Sequence, residues 1–352
     1  MSQKQESVSR QYTIPVGKLG EKFVNTVIHE FPSRETCQPF FESFLLSVQP
    51  IVPVCHTPTL ERDYDEFWAN FSPEYAVESL ALILAVLYTG AANSTRVDIP
   101  TSSALHQLYE EIFCMVDFAS YHARNMPISI QLLQGHIIMN TYKASHLAPF
   151  SAFGFLPQVI RFAQSLRLHV EKKTGAASEL DVHVQRRIWW HLVFLDVEST
   201  VATGLPFIIH RTGFTTRLPS VLQDELIQIT VPSVPEPCGL SPMMIAMEGH
   251  YQWSQRMQSW FEALPSKEEV SQFKVVIQNL IHLASGDCSA EGDWVRIYLK
   301  MQIDRAYCML GLRFWQLDQY KGTACDSEVI EYLTQSLSFV PIDTDIRANL
   351  LK

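Results

Sequence analysis

Phosphate-cradling loops, paired cysteines and long apolar runs are all missing from this chain, and each absence removes a class of function. Its 14 glycines are isolated. There is no G-x-x-x-x-G-K and no G-x-G-x-x-G, so the backbone N–H cradle that holds nucleotide phosphates is absent. No G-x-S-x-G elbow presents a serine nucleophile. The 7 cysteines (Cys37, Cys55, Cys114, Cys238, Cys288, Cys308 and Cys325) form no C-x-x-C. Even the nearest two, Cys308 and Cys325, are too far apart for the tight ligand spacing of a structural zinc site. The 12 histidines make no H-E-x-x-H, and His183 and His191 stand two turns apart on one segment. The longest apolar run, Leu80–Tyr88, falls well short of the ~20 residues that span a bilayer. With no secretory leader and an odd cysteine count, a reducing intracellular compartment is expected. No metal, cofactor, enzymatic activity or membrane contact is expected.

What is present is core material. Hydrophobic residues make up 47% of the 352 and charged residues 18%, enough for one large or two ordinary domains. The net charge is −10. Such a body repels a phosphate backbone, so DNA is not held by its overall field. Only Lys172-Lys173 and Arg186-Arg187 put basic residues side by side.

The apolar period is helical almost throughout. Phe40, Phe41, Phe44, Leu45 and Val48 mark a helix over about 33–48, stopped by Pro50 and Pro53. Thr57-Pro58 is read as N-cap and first turn of the next helix, which carries Leu60, Tyr64, Phe67 and Trp68. Ser72-Pro73 repeats the device before Leu80–Tyr88. Further helices are expected over 103–119, 128–146, 152–170, 181–203, 242–264, 267–285 and 291–319, with shorter ones near 19–30 and 326–338. Ser266-x-x-Glu269 is a capping box. The fold class is therefore all-α, an irregular bundle of roughly 10–13 helices. A loose tail is expected over 1–18 and the main domain over 19–210. Prolines 206, 219, 232, 235 and 237 mark 211–241 as a connection. The helices of 242–352 are expected to pack on the same domain.

Two stretches hold the candidate chemistry. Asp63-Tyr64-Asp65-Glu66 is the densest acidic cluster. It reads better as a dipole-complementing, solvated helix face than as a magnesium site. The segment 183–206 places Arg186, Arg187, Trp189, Trp190 and Asp196 on one helix and ends at Gly204-x-Pro206. Arg186 and Trp190, four apart, are within stacking reach. Asp196 lies too far along the helix to pair with either arginine. It needs a partner on another element, or the N–H groups of a neighbouring turn. Either architecture or the lining of an effector pocket would explain it. Gly204 and Pro206 most simply terminate the helix.

These residues resemble the fungal-specific transcription factor domain, or middle homology region. Three blocks carry the resemblance. The first, Pro50 to Leu60 with His56 and Pro58, is similar to the family's hydrophobic–Pro–hydrophobic–His–x–Pro entry. The second closes at Ala163-Gln164-Ser165-Leu166-Arg167-Leu168-His169-Val170-Glu171, where the family has A-x-x-L-G-L-H-R-D. Arg167 thus stands in a glycine place, and Val170-Glu171 replaces Arg-Asp. The third is Arg186, Arg187, Trp189 or Trp190, Asp196, Thr200 and Gly204-x-Pro206, with Leu205 where arginine is common. The zinc binuclear cluster that usually precedes the domain, six cysteines in about 30 residues, is not in this chain.

The resemblance implies an all-helical regulatory module of nuclear transcription regulators, which restrains activity, receives effectors and mediates assembly. It implies a protein partner, either a DNA-binding regulator or a second copy, with DNA contacted indirectly. A small-molecule effector and control of a secondary-metabolite gene cluster are further expectations. A helical enzyme or helical scaffold is the alternative; an exposed apolar stripe at Trp294, Ile297, Tyr298 and Met301 would favour the scaffold.

Overall fold

The structure is a computed structural model that describes residues 29–70, 77–94, 99–122, 129–144, 153–171, 178–227, 239–287 and 289–316. The expected tail over 1–18, the Ser72-Pro73 helix start and the helix over 326–338 lie outside them. So does nearly all of the helix expected near 19–30. Among the described residues the fold is all-α; the one β feature is an isolated bridge between Leu222 and Leu240. The chain divides into two compact units, Met1–Leu168 and His169–Lys352.

The first unit contains α1 (Arg34–Ser47), α2 (Thr57–Ala69), α3 (Val77–Asn93), α4 (Ile99–His122), α5 (Ile130–Ala144) and α6 (Leu156–Ser165). Helix α3 is its axis. Every residue from Leu80 to Leu87 is buried, as expected of a helix covered on all sides, and α1, α4 and α5 pack against it. Helix α1 approaches so closely that a Cβ on Gly90 would stand 1.9 Å from the Phe40 carbonyl oxygen. Phe41 of α1 stacks on Tyr64 of α2 with centroids 4.0 Å apart. The helix expected over 152–170 is shorter than its apolar pattern implied. It stops at Ser165 because Arg167 takes the left-handed conformation at φ 59°. Arg167 N–H bonds the Gln164 carbonyl at 2.9 Å and Leu168 N–H the Ala163 carbonyl at 3.0 Å. Those two bonds define a Schellman stop.

The second unit contains α7 (Glu179–Thr203), α8 (Pro242–Trp260), α9 (Lys267–Leu283) and α10 (Ala290–Gln316). Ser178 caps α7 by accepting from Asp181 N–H at 3.0 Å. Gly204 ends it at φ 74°, giving its N–H to the Thr200 carbonyl. The Ser266–Glu269 capping box on α9 is present in both directions. Helix α7 is buried on several faces, with Ile188, Trp189, Leu192, Val193 and Val197 nearly inaccessible. Helix α8 touches both α7 and α10. Arg305 of α10 reaches Glu198 of α7 at 2.5 Å and lies 4.3 Å over the Trp253 ring of α8. One cation therefore ties three helices.

Candidate functional site

In the first unit, residues 52–56 of the Pro50–Leu60 segment face inward and are held by their carbonyls. Gln49 Nε2 donates to the Cys55 carbonyl at 2.8 Å and Gln134 Nε2 to the Val54 carbonyl at 2.7 Å. Val52, Val54, Cys55 and His56 are all buried. The N-cap of α2 is His56 rather than Thr57. The imidazole Nδ1 accepts the Thr59 N–H at 3.3 Å and lies 2.8 Å from Thr59 Oγ1. Thr57 and Pro58 are then the first two helical residues. A threonine–proline pair is the stronger local signal, but burial of His56 brings a ring nitrogen onto the same orphan N–H. The acidic cluster is dispersed among partners. Asp65 pairs with Arg34 at 2.5 Å, and Asp63 accepts from Gln131 Nε2 at 3.2 Å.

In the second unit the remaining motif residues gather on α7. Residues 169–171 run beside its first turns. Gln185 Nε2 donates to the Val170 carbonyl at 2.7 Å, and the His169 and Trp189 rings lie 5.7 Å apart. Arg186 is taken by Glu171, Nε to Oε1 at 3.1 Å, and Glu171 also accepts the Arg217 N–H at 2.9 Å. Burial pushes the Glu171 carboxyl up, but the Arg186 bonds and the Arg217 N–H outweigh it, and it titrates below the usual range. Trp190 has no need of the arginine. Its Nε1 donates to the Arg217 carbonyl at 2.8 Å, and its ring meets Phe214 and Tyr251.

Arg187 is fully buried. It is bidentate to Asp224 (Nη1 to Oδ2 at 3.2 Å, Nη2 to Oδ1 closer), and its Nε donates to His183 Nε2 at 2.7 Å. His183 therefore accepts at Nε2. Asp224 opens a 3₁₀ turn, Asp224–Leu226, inside the proline-rich connection. Of the connection's described residues, Asp224 is pinned onto α7 and Leu222 is bridged to Leu240.

At the other end of α7, Asp196 finds the N–H groups of a neighbouring turn. It accepts from Ile208 at 3.0 Å and Ile209 at 2.7 Å. Burial raises the Asp196 carboxyl to about 6; the two N–H bonds and nearby His210 pull the other way. Pro206 sits exposed in the turn that Asp196 organises. Between the two ends, His191 is wholly buried and neither ring nitrogen has a hydrogen-bond partner among the described residues. Burial drives it down to about 3. Trp189 Nε1 is similarly unpartnered.

The motif residues His169, Arg186, Arg187, Trp189, Trp190, Asp196 and Gly204 thus serve α7 and the loops laid along it, while His56 and Pro58 serve α2. Asp224 was not singled out from the sequence. It is an acid between Leu222 and Leu226 in a stretch that otherwise reads as a connection, and nothing local marks it as buried. Among the described residues no group of three or more His, Cys, Asp or Glu could hold a metal, and no helix is long and apolar enough to cross a membrane.

Among the described residues this is an all-helical domain in which Trp190 and Asp196 bind its own backbone and Arg186 and Arg187 its own side chains. The family model for the fungal specific transcription factor domain matches residues 41–274, and the chain belongs to that family. It is 30% identical over 211 residues to transcription factor macR of Penicillium terrestre, covering 54% of this chain and 24% of that one. It is 31% identical over 205 residues to transcription factor yanR of Aspergillus niger, covering 51% and 24%. The aurofusarin cluster transcription factor aurR2 of Gibberella zeae is 20% identical, over 61% of this chain and 33% of its own. The chain therefore spans about a quarter to a third of the length of these relatives. No solved structure matches.

Proposed function

We propose that this chain is the regulatory domain of a fungal transcription regulator. It works in the nucleus, reaches DNA through a protein partner and controls a secondary-metabolite gene cluster. The observation that carries the reading is the family match over 41–274. The names of the aurofusarin relative and of the agnestins biosynthesis cluster transcription factor AgnL11 of Paecilomyces divaricatus support the pathway class. The partner is inferred from charge: a body of net charge −10 gains little from phosphates by itself. A small-molecule effector belongs to the same reading. Trp189 Nε1 and the two ring nitrogens of His191, buried without hydrogen bonds among the described residues, support it, since such atoms are costly to leave unpaired.

Chromatin immunoprecipitation of the tagged full chain, paired with a gel shift on the purified chain, tests this. Occupancy in cells without a shift in the gel is the expected outcome. A shift with the purified chain would show direct DNA contact and overturn the partner claim. No occupancy at all would overturn the regulator reading.

A further inference from the structure

Residues 208–224 form a strap that runs along α7 in the opposite direction. Its Ile208 and Ile209 N–H groups meet Asp196, its Arg217 carbonyl accepts from Trp190 at 2.8 Å, and its Asp224 meets Arg187. The middle of the strap is also tied to residues 169–171. Thr215 N–H bonds the His169 carbonyl at 2.9 Å, Glu171 N–H bonds Thr215 Oγ1 at 3.0 Å, and Arg217 N–H bonds Glu171 Oε2 at 2.9 Å. Phe214 is the last residue before these ties. Just ahead of it, His210–Gly213 is an exposed turn, closed by the Gly213 N–H on the His210 carbonyl at 2.8 Å.

Phe214 is half-buried and lies against Trp189, with ring centroids 5.7 Å apart. Trp189 is wholly buried, and its Nε1 has no hydrogen-bond partner among the described residues. The adjoining His169 ring, 5.7 Å from Trp189, has its Nδ1 buried without one as well. Two orphan polar atoms on adjoining rings are costly to leave unmet. The ties that hold the strap use neither side chain, although His169 and Trp189 come from two separate motif blocks of the sequence.

We propose that a flat, neutral aromatic molecule carrying a carbonyl oxygen binds here against Trp189, its oxygen accepting the Trp189 Nε1–H, with Phe214 as the lid that it displaces. The inference deepens the effector reading given above and rests on it. Three features select the ligand class. An indole N–H is only a donor, so the ligand must supply an acceptor. His169, Trp189 and Phe214 present rings, which suit a flat aromatic in stacked or edge-on contact. Arg186 and Arg187 are already held by Glu171 and Asp224, so neither offers its charge to an anion, and burying an unpaired anion is costly. Phe214 suits a lid because turning its side chain outward breaks none of the hydrogen bonds at Thr215 and Arg217.

The probe is 2-acetylnaphthalene. Its comparison compounds are 2-ethylnaphthalene, of similar shape without the oxygen, and the anion 2-naphthoate. Isothermal titration of the full chain reads affinity, and the indole N–H signals of the nitrogen-15-labelled chain read the contact. The ketone should bind about tenfold more tightly than either comparison compound, the factor expected of one buried hydrogen bond. It should move downfield the indole signal that is absent from Trp189→Phe. Trp189→Phe should erase the preference for the ketone. Phe214→Ala should tighten ketone binding severalfold by removing the lid, and Ile297→Ser, at an exposed position on α10, should change nothing. Circular dichroism melts of each variant separate a lost site from a lost fold. If Trp189→Phe does not fold, the wild-type ratio and Phe214→Ala decide. Equal affinity for ketone and hydrocarbon would mean that water alone meets these nitrogens, and it overturns the proposal. So does a preference that survives in folded Trp189→Phe, weaker ketone binding in folded Phe214→Ala, or tighter binding of the naphthoate. Chromatin occupancy with no ketone binding sinks the site and leaves the regulator reading standing. Ketone binding as expected with no occupancy sinks that reading and leaves the site.

Discussion

Arg187 and Asp224, thirty-seven positions apart, form a buried bidentate ion pair that fastens the Asp224–Leu226 turn to α7. Neither side chain is appreciably exposed. Asp224→Ala leaves a guanidinium in the core without its main counter-charge, which should cost about 3–5 kcal/mol. The double variant Arg187→Met, Asp224→Leu should recover most of that loss, because the charge is removed with its partner. Urea unfolding of the single and double variants measures both. A double variant no more stable than Asp224→Ala would show that the pair does more than cancel its own burial.

Arg167 holds a left-handed conformation, φ 59°, which favours glycine. The Schellman bonds need that conformation, and a Cβ there is strained. Arg167→Gly should therefore raise stability by up to about 1 kcal/mol, reduced by the extra freedom glycine gives the unfolded chain. Arg167→Ala should not raise it. A thermal melt in which both variants gain equally would point to the arginine charge rather than its backbone.

Two glycines should answer the same substitution with opposite sign. At Gly90 an added Cβ would meet the Phe40 carbonyl oxygen at 1.9 Å and Phe44 Cβ at 3.1 Å. Backbone cannot yield as a side-chain tip can, so Gly90→Ala should lose at least about 2 kcal/mol despite alanine's better helix propensity. At Gly286 a Cβ meets nothing within 4 Å. Gly286→Ala should be neutral or stabilising by roughly 0.5 kcal/mol. Paired chemical denaturation curves check the contrast.

Two buried groups on α7 should pull stability in opposite directions with pH. The His191 pKa is lowered by burial from 6.5 to about 3. Its contribution is whole above the unfolded value and is lost as pH falls toward the folded one. The total is on the order of 5 kcal/mol. The Asp196 pKa is raised by burial from 3.8 to about 6. Its contribution is present below 3.8 and lost as pH rises through about 6, a loss of roughly 3 kcal/mol. His191→Leu should flatten the acid limb of the stability curve, and Asp196→Asn should remove the decline between pH 4 and 7. Unfolding free energies from pH 3.5 to 7.5 read both limbs; an acid limb unchanged in His191→Leu would assign it to other groups.

The helices and most of their ends were legible in the sequence because they depend on neighbours. Ser266 caps the helix it precedes, and Gly204 stops α7. Asp196 was readable as an acid too far from the arginines to pair with them, and its partner turned out to be a turn's N–H groups. The stop at Arg167 was not readable from periodicity, since apolar residues continue in step through Leu168. The cap by His56 was hidden for a different reason. A buried imidazole displaces the stronger local signal of Thr57-Pro58 only once its own segment is fixed by Gln49 and Gln134.

By itself the sequence determined an all-helical body, its apolar faces, several of its caps and its family. Those follow from interactions within four residues along the chain and from motif order. Only the tertiary structure decided that Arg187 belongs to Asp224, that Glu171 belongs to Arg186, and that Ile209 points in while Ile208 points out. Each depends on where a loop returns after 12 to 37 residues, and no local period encodes the return of a loop. The burial that makes those pairings obligatory exists only after the helices have packed.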